Sequence, residues 1–307
     1  MIVSSLKKSE LEAKLKAGLF LRIGPVVIAI QSTVPSVLEG IRLVYADYPV
    51  ATEEFADFHV SLKPPRGLRR WLKPQALFEL DGVSPFKPLP YNQAFPMLEW
   101  GMNWCISTHM HGYLMIHAAV MERDGYAAIL PAPPGSGKST LCATLVHKGW
   151  RLLSDELTLI RLSDGQIIPL PRPVSLKNAS IDIVRQYIPH AILSPKVDDT
   201  LKGTVSLMRP PADSLLRIDE TVKPAWIVFP KYQAGSSTQL EPITQSRAFM
   251  RVADNAFNYS LLGARGFEAL AGVIDQSAAF DFTYSSLDEA FEVFASLPPP
   301  SVRALHE

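Results

Sequence analysis

The chain has 307 residues, 47% hydrophobic and 20% charged, a size and balance that exclude a single small core and fit a soluble globular protein of about two domains. Thirty basic residues offset thirty acidic ones, so no net field draws the chain to nucleic acid or an anionic membrane. Cys105 and Cys142 give neither a disulfide framework nor metal-site spacing, and there is no signal-type N-terminus. With no apolar run near the ~20 residues of a membrane helix, a cytoplasmic location is expected.

In chain order, residues 6–18 read as a charged surface helix, "LRIGPVVIAI" (21–30) as one buried strand, 33–45 as a helix and "DFHVSL" (57–62) as a strand. "KPPRGLRRWLK" (63–73) and "PQALFELDGV" (74–83) suggest a turn and two more strands. The five cations around Trp71 suit a solvated turn better than a nucleic-acid patch. The proline-rich "SPFKPLPYN" (84–92) marks the expected domain boundary, dividing a smaller N-terminal α+β domain, 1–90, from a larger domain, 91–307. A helix is then expected from 93 to Met110. "YLMIHAAVM" (113–121) and "YAAILPA" (126–132) follow as two strands, "KSTLCATLVHKG" as a helix ending at Gly149, and "WRLLSDELTLI" (150–160) as one strand carrying acidic residues. Strand, loop, helix and strand in this order are α/β architecture. His109 and His111 lack a third partner for a metal.

"PAPPGSGKST" (131–140) nearly spells the phosphate-binding loop G-x-x-x-x-G-K-[ST]. Such a loop aims backbone N–H groups and a helix N-terminus at phosphate oxygens. The donors needed here, on Gly135, Gly137, Lys138, Ser139 and Thr140, all survive, because Pro133 and Pro134 fall where no donor is required. Ser136 is unconstrained. Ala132 replaces the first glycine and is tolerable if its φ stays negative. Lys138 would reach the β- and γ-phosphates, and the Ser139 hydroxyl would hold Mg²⁺. The loop competes with a plain glycine-rich helix cap, but the strand before it and the helix after it favour a nucleotide site.

Asp155 and Glu156 close the next strand, and ligands of α/β sheets sit beyond strand carboxyl ends. A carboxylate there holds Mg²⁺ or accepts a hydroxyl proton. His117 lies in an apolar run, where a core histidine and a functional one are equal alternatives on spacing alone.

Together, "HAAVMERDGYAAILPAPPGSGKSTLCATLVHKGWRLLSDE" resembles the catalytic core of HPr kinase/phosphorylase. "PLPRPVSLKNASIDI", "KGTVSLMRPPADS", "WIVFPKY" and "NAFNYSLLGARGFEAL" are similar to the HprK-related kinase A group, over about 95–307. The resemblance implies a P-loop kinase core of the HPr kinase/phosphoenolpyruvate carboxykinase type, using ATP and Mg²⁺ to phosphorylate a hydroxyl, by analogy a serine of a protein or peptide. His117 falls on the family histidine, Asp155 on its catalytic aspartate and Glu156 on the second aspartate. Asp155 would take the hydroxyl proton, His117 would support it or the phosphoryl group, and Ser139 with Glu156 would bind Mg²⁺. Ala132 stands where the family has glycine, Pro134 where it has serine and Thr140 where it has glutamate, which argues against HPr itself as acceptor. The group's association with small PqqD-type peptide-binding proteins implies a peptide-modification setting, with residues 1–90 recognising the partner or packing a subunit interface.

Transferring phosphate calls for cations. Arg172, Lys202, Arg209 and Lys231 are the candidate phosphate contacts, with Lys177 beside them in "PRPVSLK". A small-molecule hydroxyl kinase and a non-catalytic ATP-binding regulatory module are the alternative readings.

Overall fold

The structure is a computed structural model that describes residues 1–52, 55–65, 73–133 and 135–298. Most of the cationic turn, Pro134 and the C-terminal tail lie outside them. The architecture is mixed α/β, with four sheets and ten α-helices among the described residues.

The helix Lys8–Ala17 is fixed at its start by Glu10, whose carboxylate accepts the Lys7 N–H at 2.8 Å, and buries Leu11 and Leu15 one turn apart. The segment 21–30, expected as one strand, is instead part of an antiparallel hairpin of Leu19–Ile23 and Val26–Ser32. Gly24 makes the turn at φ 60°, and a Cβ there would run into the backbone oxygen of Pro169. Only glycine meets both demands. The helix Pro35–Val44, with proline in its first turn, buries Val37, Ile41 and Val44. Phe58–Lys63 adds to the hairpin in parallel, and Gln75–Leu80 and the short Leu89–Pro90 complete a five-stranded sheet. Leu89–Pro90 thus lies inside the segment expected as a domain boundary.

The helix Ala94–His109 packs on this sheet. Its Met97, Leu98, Met102, Cys105 and Ile106 share one core cluster with Ile28, Ile30, Val60, Leu62 and Phe78, and the cluster continues to Leu157, Leu159, Leu170 and Leu207. Both cysteines are free and buried.

The larger sheet runs in the order Gln239–Pro242, Ala278–Tyr284, Lys223–Tyr232, Tyr126–Pro131, Ala118–Arg123, Arg151–Ser154. Lys223–Tyr232 pairs in parallel on both sides, and the outer pairings are antiparallel. On one face the helix Lys138–His147 packs with Trp150, Trp226, Phe282 and Phe294. The helices Gln245–Asp254 and Ala264–Asp275 bury Ala248, Val252, Leu270 and Val273 on the other.

Two strands expected as continuous are each broken. Residues 113–121 divide into Tyr113–Ile116 and Ala118–Arg123, and residues 150–160 into Arg151–Ser154 and Thr158–Arg161. In both cases one half belongs to the large sheet and the other to a small sheet ordered Ile167–Ile168, Thr158–Arg161, Tyr113–Ile116. The registers Ile116↔Thr158 and Val120↔Ser154 set the two breaks side by side. His117 occupies one break, and Asp155 and Glu156 the other.

Candidate functional site

The loop between Tyr126–Pro131 and the helix Lys138–His147 carries Gly135 at φ 86° and Gly137 at φ 88°, while Ala132 is buried and keeps φ out of the left-handed region. Gly137 caps the helix, and a Cβ on it would collide with the Tyr284 hydroxyl. The backbone N–H of Tyr232 donates to the Ser136 carbonyl at 2.9 Å, tying the loop to the large sheet. Leu141 makes the first intrahelical bond, to the Gly137 carbonyl at 2.9 Å. The N–H groups of Lys138, Ser139 and Thr140 therefore emerge at the helix end without intrahelical partners.

The loop forms one wall of a cleft of about 1220 Å³. The cleft brings together His117, Gly135, Ser136, Gly137, Lys138, Ser139, Thr140, Glu156, Lys177 and Lys202. Ile183, Tyr187 and Leu287 line another part of it, and the Tyr187 hydroxyl donates to Asp288.

Three buried polar atoms at this loop have no hydrogen-bond partner among the described residues: Lys138 Nζ, Ser136 Oγ and Asp155 Oδ1. Native proteins rarely leave buried polar atoms so, and each case calls for a reason. Burial pushes the Lys138 ammonium down from its usual pKa, against the pull of Asp155 and Glu156. Burial raises the Asp155 carboxyl although Lys138 lowers it. Asp155 Oδ2 accepts the Ser139 hydroxyl at 3.0 Å and the Ser175 N–H at 3.1 Å. Lysine, serine hydroxyl and carboxylate are the donor set that a nucleotide phosphate with a bound divalent cation requires, so the residues fit Mg²⁺-ATP.

Glu156 lines the cleft, with Lys177 Nζ at 3.6 Å. Its burial would raise its pKa, but Lys177, Lys202, Arg172 and Lys138 outweigh that and hold it below the usual range. His117 is pushed down to about 4 by burial and then by Lys138, and its ring lies 5.7 Å from that of Phe257. It is a neutral imidazole at pH 7.

Among the candidate cations the structure separates those at the cleft from those elsewhere. Lys202 lines the cleft, its ammonium 5.1 Å from the Trp100 ring centre. Arg172, expected at the phosphates, is buried and turned away, with Nη2 on Glu99 at 2.9 Å and Nη1 on Asn103 at 2.6 Å. Arg209 donates to Asp47 at 2.8 Å, outside the cleft lining. Lys231 is exposed at its strand's end and does not line the cleft either. Two functional neighbours had been missed: Ser175, whose N–H holds Asp155, and Asn103, whose amide donates to Glu156 at 3.2 Å. No group of metal-ligating side chains stands out among the described residues, including His109 and His111.

A family model described as SynChlorMet cassette protein ScmC matches residues 94–177. That span runs from the helix bearing Glu99 and Asn103 through the loop to Lys177. No curated protein matches the chain. No described helix is long and apolar enough to cross a membrane.

Proposed function

We propose that the protein is an ATP-dependent phosphotransferase with a P-loop core of the HPr kinase type, moving the γ-phosphoryl group to a hydroxyl of a peptide or protein. The observation that carries this reading is the buried Lys138 ammonium, unpartnered among the described residues, beside a Ser139–Asp155 hydrogen bond at a helix end with free N–H groups. The loop donors and Lys138 would hold the phosphates, and Lys177 and Lys202 would stand along the transferring group. Ile183, Tyr187 and Leu287 offer an apolar surface for the base.

The two carboxylates divide the remaining work, and their positions favour the reverse of the assignment implied by the family resemblance. Asp155 lies behind Ser139, bonded to it, which suits the Mg²⁺ corner. Glu156 faces the cleft, where an acceptor hydroxyl would approach. Geometry ranks before pKa in choosing a base, so Glu156 takes the proton. His117, neutral beside Lys138, would contribute a hydrogen bond to the phosphoryl group.

A peptide acceptor is supported by the matched family, which belongs to peptide-modification cassettes. The test is incubation with γ-labelled ATP, Mg²⁺ and the proteins encoded beside this one, with Lys138→Ala as control. Label on a peptide or protein, lost in the control, is expected. Label on a small molecule would move the activity to a metabolite kinase. ATP binding without transfer to any of them would leave a regulatory module.

A further inference from the structure

Beside the cleft, sharing Asn103, Glu156 and Ser175 with it, lies a second, partly open space of about 20 Å³, bounded also by Asp155 and Arg172. Room for a single water needs roughly 10–15 Å³, together with two to four polar partners. Two of the residues around this space carry buried polar atoms with no partner among the described residues, Asp155 Oδ1 and Arg172 Nε. One accepts and the other donates, the complementary pair that a bridging water requires.

Both terminal nitrogens of Arg172 are engaged. Its Nη2 donates to the Glu99 carboxylate at 2.9 Å and the Glu99 carbonyl at 2.7 Å, and its Nη1 to Asn103 Oδ1 at 2.6 Å. Tyr45 holds the other Glu99 oxygen at 2.5 Å, and Asn103 passes its own amide to Glu156 at 3.2 Å. Glu99 and Asn103 stand one turn apart on the helix Ala94–His109 and so share a face. A buried arginine that touches no phosphate would be a costly charge to keep unless its network served a purpose.

We propose that this space holds one structural water bridging Asp155 and Arg172, and that Arg172 and Asn103 are positioning residues which fix the mutual placement of Asp155 and Glu156. The chain Asp155, water, Arg172, Asn103, Glu156 then ties one carboxylate to the other through a guanidinium anchored on Glu99, which Tyr45 holds in turn. The catalytic meaning of this relay rests on the phosphotransferase reading, whereas its existence does not.

Two measurements on the full chain test it. A high-resolution crystal structure is expected to show a water within hydrogen-bond distance of both Asp155 Oδ1 and Arg172 Nε. A direct Asp155–Arg172 bond, a closed cavity or a different species there would overturn the proposal. The second measurement is Mg²⁺ titration in the presence of ATP, for the parent and for Arg172→Lys, which keeps the charge but not the planar fork. Loss of an outer-shell partner typically costs roughly 10–100-fold in metal affinity or activity, and that loss of Mg²⁺ affinity is expected with affinity for metal-free ATP unchanged. Asn103→Leu, which removes the partner of Glu156, is expected to lower phosphoryl transfer by a similar factor while Mg²⁺ affinity changes less. Equal Mg²⁺ affinity in the parent and Arg172→Lys, or equal transfer in the parent and Asn103→Leu, would refute the positioning role. If the parent binds no ATP, the phosphotransferase reading fails, and the crystallographic result still decides the relay.

Discussion

Ser139 donates its hydroxyl to Asp155 across 3.0 Å, joining the first turn of one helix to a break between two strands. Ser175 donates its N–H to the same oxygen from a third element at 3.1 Å. Asp155 is thereby held from two other parts of the chain, although its other oxygen has no partner among the described residues. A site arranged in advance around a group still to be bound has this character.

Lys138 carries the clearest cost of that arrangement. An unpaired buried polar group loses about 1–3 kcal/mol, and burial already depresses this ammonium. Lys138→Met keeps the length of the stem and removes the charge. It is expected to raise the melting temperature of the nucleotide-free protein and to abolish stabilisation by Mg²⁺-ATP. A melting temperature that falls without ATP, or a full thermal shift with it, would contradict this role.

Gly137 is the position where the loop tolerates no side chain. Its φ of 88° and the Tyr284 hydroxyl in the path of a Cβ act together. Gly137→Ala should destabilise the fold by about 1–3 kcal/mol and displace the Ser139 N–H from its aim, weakening Mg²⁺-ATP by calorimetry. Ala132→Gly, at a residue already outside the left-handed region, should change ATP affinity little.

The loop and its helix were legible because glycines at that spacing mark a turn into a helix, which Gly135 and Gly137 make at positive φ. The breaks at His117 and at Asp155–Leu157 were not. Residues 113–121 and 150–160 are unbroken apolar runs, and periodicity does not say with which sheet each half will pair. The hairpin at Gly24–Pro25 was available in the sequence as a turn signal within "LRIGPVVIAI". The bond of Arg172 to Glu99 was not legible, because that partner is 73 residues away. The hint lay in the helix: Glu99 and Asn103, four apart on a largely apolar segment, mark a polar stripe that needed a buried partner.

His117 predicts a pH effect on stability. Its folded pKa of about 4 lies below the ordinary 6.5. Between these values the unfolded chain takes up a proton that the folded chain refuses, so this contribution is present above pH 6.5 and is lost as pH falls toward 4. His147 is lowered as well, so only the difference between variants is diagnostic. The fall in urea midpoint from pH 7 to 5 should be smaller for His117→Gln than for the parent. Equal falls would show that His117 is not held neutral.

The shared core predicts the fate of a chain beginning at Tyr91. Met97, Leu98, Met102 and Ile106 are buried with Phe78, Leu62 and Ile30. Burial of such side chains contributes about 1.5–3 kcal/mol each, against a total stability of about 5–15 kcal/mol. That chain is expected to be insoluble or to lack cooperative unfolding. A soluble fragment with a sharp thermal transition would show that residues 91–307 fold alone.

The carboxylate pair gives the sharpest test of mechanism. General-base help is typically worth ~10²–10⁴-fold in rate, whereas a metal-corner ligand acts through Mg²⁺ affinity. Glu156→Gln keeps the shape and its bond to Asn103. It should leave Mg²⁺-ATP binding within roughly tenfold, about 1.4 kcal/mol, while phosphoryl transfer falls by far more. Asp155→Asn should weaken Mg²⁺ in the presence of ATP, with transfer partly restored at high Mg²⁺. His117→Ala should lower transfer less than either. Labelled-phosphate transfer measured across a Mg²⁺ series separates the two carboxylates. If Asp155→Asn cannot be rescued by Mg²⁺ and Glu156→Gln can, their roles are those implied by the family resemblance, and the position of Glu156 in the cleft is no guide to the base.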